Sequence, residues 1–272
     1  PFGSASSSLA EGTKNIMIKF HFLFDKNVKA KKLEKFLLKK YKNYQPKKST
    51  HIIIGGGDGF MLNSLKKLYK YNKPFYGINC GSYGFLMNNY NFEKLEKKIV
   101  KSKKISIDAL SINVLSDKNN KNKIIAINEL SLFRQSRQTA SLSLKVGKKN
   151  LIKKLIGDGV LVSTPAGSTA YNLSIHGPIL DLDSGKLAIT PISPFRPRRW
   201  SGKIISSRSE VILFNLDPKK RPVAAVADNI EIRNVKKVTV KTDKKIKIFL
   251  LYDTNRNLVK RIKLEQLRKN KI

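Results

Sequence analysis

The chain has 272 residues, 40% of them hydrophobic, which is enough for about two globular domains and excludes a largely disordered protein. Lysine and arginine number 55 against 19 acidic residues, so the net charge is +36 and is spread along the whole chain. No apolar run approaches the roughly 20 residues that span a bilayer, and a single cysteine excludes an intramolecular disulfide. We therefore expect a cytoplasmic protein with no membrane partner. The charge is interpreted as a lysine-rich solvated surface that attracts anions in general and no specific nucleic acid.

The first part of the chain alternates between short apolar runs and amphipathic stretches. Residues 1–15, rich in serine, glycine and alanine, are expected to form a flexible extension. Apolar runs then predict strands over residues 16–24, 51–54 and 74–78, and helical spacing predicts helices over residues 31–41, 60–69 and 92–100. Because alternating strands and helices are typical of parallel sheets, residues 16–100 are predicted to form a Rossmann-like α/β domain.

After residue 100 the pattern changes to a period of two. Alternating stretches cover residues 105–115, 124–133, 141–146, 160–163, 210–216, 230–233, 235–241 and 246–252. Clusters of glycine, asparagine, aspartate and lysine separate some of them, as at residues 117–123 and 147–150. This pattern predicts a β-rich domain over residues 101–252, so the fold class is α/β plus all-β. Residues 253–272 are predicted to be a tail that returns to the first domain, and periodicity leaves open whether residues 258–267 form a strand or a helix.

Four glycines surround one aspartate between the second predicted strand and the helix after it. The sequence there is Gly55-Gly56-Gly57-Asp58-Gly59. Glycine permits positive φ angles and close backbone approach to a ligand, and a helix N-terminus favours phosphate. Asp58 follows the carboxyl end of a strand, where open α/β sheets bind ligands. We predict a phosphate-binding loop of Gly56, Gly57 and Gly59. The alternative is a tight turn in which Asp58 caps the helix.

A second candidate site is a run of small and hydroxylated residues. The run STPAGSTAYNLS occupies residues 163–174 and follows Gly157-Asp158-Gly159. Its hydroxyl groups suit a loop that lines a ligand, and the ring of Tyr171 offers a face for a base. Asn128 and Glu129 are placed to hydrogen-bond sugar hydroxyls. The alternatives are a polar turn for the run and no ligand for the Asn–Glu pair.

In this order and spacing, these motifs strongly resemble the NAD kinases. The segments GSYGFLMN (residues 81–88), FRQSRQ (133–138) and TPISPFRPRRW (190–200) look like an alphaproteobacterial branch of that family. The resemblance covers about residues 16–233. A GGDG sequence alone is shared with lipid kinases, but its combination with the proline-centred run at residues 163–171 is specific.

The resemblance implies the activity and the roles of particular residues. It implies transfer of the γ-phosphoryl group of ATP, or of inorganic polyphosphate in some members, to the adenosine 2′-hydroxyl of NAD. Asp58 is then the proton acceptor, magnesium is held mainly by substrate phosphates, and the protein is a homodimer or homotetramer. The positions that match NAD-binding positions of the family are Asp58, Gly59, Asn128, Glu129, Asp158, Ala166, Thr169, Ala170, Tyr171 and Ser174, and further candidates are Phe85, Ile192 and Asn229.

Two other classes of protein share some of these features. A diacylglycerol-type lipid kinase shares the GGDG motif and a strand-rich second domain. The chain lacks the GTGN-type loop of those enzymes and has no amphipathic anchor. A nucleic-acid-binding protein is supported only by the charge, because no basic strand with regularly placed aromatic residues and no recognition helix is evident.

Overall fold

The part of the chain that the computed structural model describes, residues 17–82 and 84–254, forms four α-helices and fifteen strands. The helices are α1 (Val28–Lys40), α2 (Asp58–Leu68), α3 (Leu95–Lys101) and α4 (Tyr171–Ser174), and 3₁₀ turns lie at Pro46–Lys48, Tyr69–Tyr71 and Ala166–Thr169. The strands are β1 (Phe20–Phe24), β2 (His51–Gly56), β3 (Phe75–Asn79), β4 (Lys103–Ser116), β5 (Lys121–Ala126), β6 (Glu129–Arg134), β7 (Ala140–Val146), β8 (Lys149–Gly157), β9 (Gly159–Ser163), β10 (Lys186–Ile192), β11 (Lys203–Ser206), β12 (Val211–Asn215), β13 (Val223–Ala227), β14 (Ile230–Ile232) and β15 (Val235–Tyr252). The expected extension over residues 1–15 and the undecided segment 258–267 lie outside the described residues.

The N-terminal strands form the predicted parallel arrangement between helices. Strand β2 pairs in parallel with both β1 and β3. Successive side chains of β2 alternate between two cores, as a period of two requires. Ile53 packs in a cluster with residues of α1 and α3, whereas Ile52 and Ile54 pack in a cluster with Met61 and Leu65 of α2. Both faces of the sheet are therefore covered by helices.

Strand β15 joins these parallel strands to the β-rich part of the chain. Its first half pairs with β12 and its second half meets β3 in parallel, at Leu250 and Phe75, while β4 runs antiparallel beside both halves. An irregularity in register between Asp243 and Lys247 separates the halves. The two predicted strands at residues 235–241 and 246–252 are thus one strand. The resulting nine-stranded sheet has the order β1-β2-β3-β15-β12-β7-β8, with β4 paired to β15 and β5 paired to β4. The sheet crosses the predicted boundary at residue 100.

A second sheet of six antiparallel strands covers the β-rich end of the first. Its order is β11-β10-β9-β6-β13-β14. The core between the sheets includes Leu142 and Leu213 from the first sheet and Leu132 and Val162 from the second. The fold is therefore mixed α/β with a large β content, and the division into separate domains stays a prediction.

Several predicted boundaries were wrong. The stretch 124–133 is two strands, because β5 ends at Ala126 and β6 begins at Glu129. Strands β8, β10, β11 and β13 were missed. Strand β10 is buried at six of its seven residues and β13 at four of its five, so neither shows polar alternation. Helix α1 begins at Val28 because the side chain of Asn27 accepts a hydrogen bond from the Ala30 amide.

Candidate active site

Asp58 lies where strand β2 passes directly into helix α2. The strand continues through Gly56, Gly57 is the N-cap with φ −102°, and Asp58 is the first helical residue. The Asp58 carboxylate accepts hydrogen bonds from the backbone amides of Phe85 at 2.7 Å and Leu86 at 2.9 Å. The alternative in which Asp58 caps the helix is therefore wrong, because its carboxylate is fixed toward the segment that follows β3.

Gly84 determines the direction of that segment. It adopts φ +83°, and a Cβ at this position would lie 2.6 Å from the side chain of Asn79. Both facts favour glycine, since other residues rarely occupy the left-handed region. The chain then presents the amides of Phe85 and Leu86 to Asp58. Phe85 thus reaches the site through its backbone.

The four glycines around Asp58 differ in how closely neighbouring atoms pack against them. None of Gly55, Gly56, Gly57 and Gly59 has a positive φ, so left-handed backbone is not what requires glycine at these positions. A Cβ on Gly55 or on Gly56 would lie 2.7 Å from a neighbouring side chain, so packing requires these two glycines. A Cβ on Gly57 would have one neighbour, at 3.9 Å, and one on Gly59 would have none within 4 Å. The start of α2 is therefore open on the side of Gly57 and Gly59.

Asn128 lies in the break between β5 and β6, Glu129 is the first residue of β6, and Asp228 binds the backbone of both. The Asp228 carboxylate accepts hydrogen bonds from the amides of Ile127 (2.9 Å), Asn128 (2.9 Å) and Glu129 (3.2 Å). Its side chain is only 4% exposed, and Lys66 Nζ of α2 lies 2.9 Å from it. Because Asp228 binds all three amides, its side chain stabilises the interruption between β5 and β6. The sequence interpretation included neither Asp228 nor Lys66.

The polar atoms in this break lack partners inside the protein. Oδ1 of Asn128 and Oε2 of Glu129 are buried and form no hydrogen bond within the described residues. Burial and the nearby Asp228 carboxylate raise the pKa of Glu129 to about 8, and Lys66 opposes this shift. Leaving such atoms unpaired costs about 1–3 kcal/mol each. These two oxygens are therefore the strongest candidates for ligand contacts in the site.

The run at residues 163–174 packs directly on this break. The Thr164 amide donates to the Asn128 carbonyl at 2.9 Å, and Thr164 Oγ1 donates to the Ile127 carbonyl at 2.7 Å. A Cβ on Gly167 would lie 2.2 Å from the backbone carbonyl oxygen of Asn128, so only glycine permits the loop to approach this closely. The hydroxyls of Ser163 and Ser168 also donate to backbone carbonyls. These three hydroxyls hold the loop together, so the expectation that the hydroxylated residues after Pro165 line a ligand was wrong for Ser168.

Tyr171 and Asp158 lie on the same side as Glu129. Tyr171 begins α4 and is 39% exposed. Burial raises the pKa of Tyr171, and the charges of Asp158 and Glu129 raise it further. Asp158 is paired with Arg134, whose Nε lies 2.5 Å from Oδ1. Thr169, Ala170 and Ser174 flank Tyr171 along the chain and are at least partly accessible.

Two predicted contact residues are buried instead. Ala166 is 4% exposed and packs in a core cluster, and Ile192 is 4% exposed at the end of β10. The Ile192 carbonyl accepts a hydrogen bond from the Asp158 amide at 2.9 Å. Ile192 therefore acts on Asp158 through its backbone. Asn229, in contrast, is exposed. Its Oδ1 lies 3.0 Å from Lys66 Nζ, and its Nδ2 lies 3.3 Å from Oδ1 of Asn63 on α2.

One hydrophobic cluster underlies these separate segments. It contains Met61 of α2, Leu86 next to Phe85, Ile127 next to Asn128, and Ala166 of the small-residue run. The polar candidates are chain neighbours of these four residues. The core therefore brings together motifs that are far apart in sequence.

Residues 17–82 and 84–254 contain neither a membrane-spanning helix nor a cluster of metal-binding side chains. No helix within these ranges is long and apolar enough to cross a membrane. Within the same ranges no group of three or more His, Cys, Asp or Glu side chains is arranged to hold a metal ion.

Comparison with known proteins decides the family. A family model described as the ATP-NAD kinase C-terminal domain matches residues 127–248. The NAD kinase of Zymomonas mobilis is 44% identical over 88% of this chain and 94% of its own length, and that of Brucella melitensis is 40% identical over 94% and 99%. The chain belongs to the NAD kinase family. The resemblance drawn from the motifs, including its alphaproteobacterial character, is confirmed.

A solved structure of an NAD kinase supports the same fold. The crystal structure of an NAD kinase from Archaeoglobus fulgidus in complex with ATP matches this chain with a TM-score of 0.73. The two proteins are 22% identical, and the match covers 90% of this chain and 99% of the other. The predicted combination of α/β and β-rich parts therefore has the architecture of NAD kinases.

Proposed function

We propose how the residues of this site divide the work of NAD phosphorylation. The chain is an ATP-dependent NAD kinase, which converts NAD to NADP. The observation that carries the assignment of roles is the pair of buried, unpartnered oxygens on Asn128 and Glu129. Their acceptor groups suit the hydroxyls of the adenosine ribose, which supply the missing hydrogen bonds.

The other polar residues surround the dinucleotide. Asp158 is fixed by Arg134 and binds a polar edge of NAD, and the ring of Tyr171 packs on one of its planar groups. Thr169, Ala170 and Ser174 extend this contact along the chain. Because the side chain of Ala166 is buried, we assign any role of that residue to its backbone.

Asp58 is assigned as the proton acceptor for the adenosine 2′-hydroxyl. In the reaction the ribose O2′ forms a bond to the γ-phosphorus of ATP, the bond from that phosphorus to the leaving oxygen breaks, and ADP departs. The 2′-hydroxyl proton passes to the Asp58 carboxylate. The amides of Phe85 and Leu86 hold this carboxylate in place. Phosphoryl transfer depends mainly on positioning and electrostatics, so a weak base suffices.

Gly56, Gly57 and Gly59 are assigned to the substrate phosphates. The open face at Gly57 and Gly59 leaves room for phosphate oxygens beside the amides of the first turn of α2. A methyl group at Gly59 would project into that space. The phosphoryl donor expected at this face is ATP or polyphosphate, and the assay below separates the two.

Magnesium fits this site as an ion held mainly by substrate phosphates. Mg²⁺ retains several waters and usually takes one or two carboxylates together with phosphate oxygens. Asp58 is a carboxylate at the start of α2, and two amide donors already occupy part of its acceptor capacity. When bound, the ion neutralises the charge that develops on the transferred phosphoryl group. Asp58 is the residue placed to contact it.

The test is an assay of NADP⁺ formation by the purified full chain. Wild-type protein with Mg²⁺ and NAD⁺ is given ATP or polyphosphate in separate reactions. Asp58→Asn keeps the size of the side chain and removes the proton acceptor, so kcat should fall by about 10²–10⁴-fold while the dissociation constant for NAD changes little. A near-normal kcat in Asp58→Asn would remove Asp58 from the chemistry. Light scattering on the same samples tests the proposed homodimer or homotetramer.

A further inference from the structure

We propose that Lys66 and Asp228 are positioning residues for NAD phosphorylation. They tie helix α2, which begins at Asp58, to the turn that contains Asn128 and Glu129. This inference rests on the roles proposed above for Asp58 and the Asn–Glu pair. Neither Lys66 nor Asp228 is assigned a contact with substrate.

The hydrogen bonds of Asp228 make it the organiser of the turn. Its carboxylate accepts from three consecutive amides, those of residues 127–129, and it adopts a left-handed φ of 51° that aims the side chain at them. The interaction is almost dry, since the side chain is 4% exposed. Hydrogen bonds to a charged acceptor contribute about 1.5–3 kcal/mol each. The direction of Asn128 and Glu129 therefore depends on where Asp228 lies.

Lys66 connects helix α2 to Asp228. Its Nζ lies 2.9 Å from Asp228 Oδ2 and 3.0 Å from Asn229 Oδ1, and its side chain is 13% exposed. Asn63, one turn earlier on α2, adds a contact of 3.3 Å to Asn229. Two residues of α2 thus hold two consecutive residues of the loop after β13. These polar contacts join the helix of the proposed base to the residues proposed to hold the ribose.

The same ion pair affects the charge of Glu129. The charged and titratable groups that face Glu129 are Asp228 from the loop after β13, Lys66 from α2 and Tyr171 from α4. Asp228 disfavours the ionised form of Glu129, and Lys66 favours it. Without Lys66 the pKa of Glu129 rises further. A purely structural tie would leave the pH dependence of catalysis unchanged, so this effect distinguishes the two roles.

The experiment compares three variants of the full chain. Lys66→Met removes the charge and keeps the length of the side chain, Lys66→Arg keeps the charge, and Lys67→Met is the matched control at an exposed position of the same helix. We expect Lys66→Met to raise KM for NAD by about 10–100-fold, as loss of a charge-assisted contact implies. The acidic limb of the kcat/KM profile should move to higher pH. Lys66→Arg should restore most of both properties, and Lys67→Met should match the wild type.

Asp228→Asn tests the same inference if Lys66→Met does not fold. Asp228→Asn keeps the shape but removes the charge and replaces one of the two acceptor oxygens by an NH2 donor, so at least one of the three amides loses its acceptor. This variant should also raise KM for NAD more than it lowers kcat. Circular dichroism establishes that each variant is folded. Wild-type KM and an unmoved pH profile in folded Lys66→Met or Asp228→Asn would overturn the inference. A near-normal kcat in Asp58→Asn would instead overturn the role of Asp58, while calorimetric NAD affinities of the Lys66 and Asp228 variants still test the contacts between α2 and the turn.

Discussion

Substitution of Gly59 by alanine should separate stability from activity. Gly59 is the second residue of α2, it is exposed, and its φ is not in the left-handed region. A Cβ there would meet no heavy atom within 4 Å. Replacing glycine by alanine within a helix contributes about 0.5–1 kcal/mol of stability, because the unfolded chain loses freedom. The unfolding midpoint should therefore rise by about 1–4 °C.

The activity should change in the opposite direction. If phosphate oxygens approach the amides at the start of α2, the added methyl group occupies their path. A loss of about 10–100-fold in kcat/KM for the phosphoryl donor is expected, which corresponds to about 1.4–2.7 kcal/mol. KM for NAD should be affected less, since Asn128 and Glu129 lie in another segment.

Gly56→Ala provides the contrasting variant. A Cβ at Gly56 would lie 2.7 Å from the ring of Phe60, so overpacking should cost about 1–3 kcal/mol of stability. Thermal unfolding and steady-state kinetics with ATP are measured on both variants. A Gly59→Ala protein with unchanged kcat/KM would show that no phosphate approaches this residue. An unfolding midpoint of Gly59→Ala several degrees below that of the wild type would show that the surroundings of Gly59 are not open.

Three further outcomes are expected. Thr164→Val should lower the free energy of unfolding, measured with urea, by about 2–5 kcal/mol, because it leaves the Ile127 carbonyl and the Gly167 amide unpaired. Thr164→Ser keeps the hydroxyl and should retain most of this stability. Equal losses in both variants would contradict this reasoning. Tyr171→Ala should weaken NAD binding in calorimetry by about 1–2 kcal/mol with a smaller effect on kcat, and an unchanged dissociation constant would exclude ring packing. The Glu129 carboxyl stays protonated in the folded protein up to about pH 8 but ionises near 4.5 when unfolded, so wild-type stability should fall across this window as pH rises, by on the order of 1 kcal/mol per pH unit. Glu129→Gln should lack this component, and parallel stability curves for the two proteins between pH 5 and 8 would argue against the raised pKa.

The sequence alone determined the parts of this protein that depend on local patterns. The alternation of apolar runs and amphipathic stretches predicted the parallel strands and α1 to α3, because each element shows its buried face at a fixed spacing. The order of the GGDG, Asn–Glu, GDG and small-residue motifs was enough to indicate the NAD kinases. Asp58, Asn128 and Glu129 were identified in the same way. Their detailed roles remain predictions.

Only the tertiary structure decided how these motifs are held together. Asp228 binds the amide of Asn128 from 100 positions away, and Lys66 reaches Asn229 across 163 positions. No local spacing indicates either contact. Strand β13 was missed for a related reason, since a small apolar strand buried on both faces has no alternation to detect. The glycines at Gly55 and Gly56 likewise gain their meaning only from the side chains packed against them. Partners distant in sequence are chosen by packing and by the need to satisfy buried polar groups, and both exist only once the chain has folded.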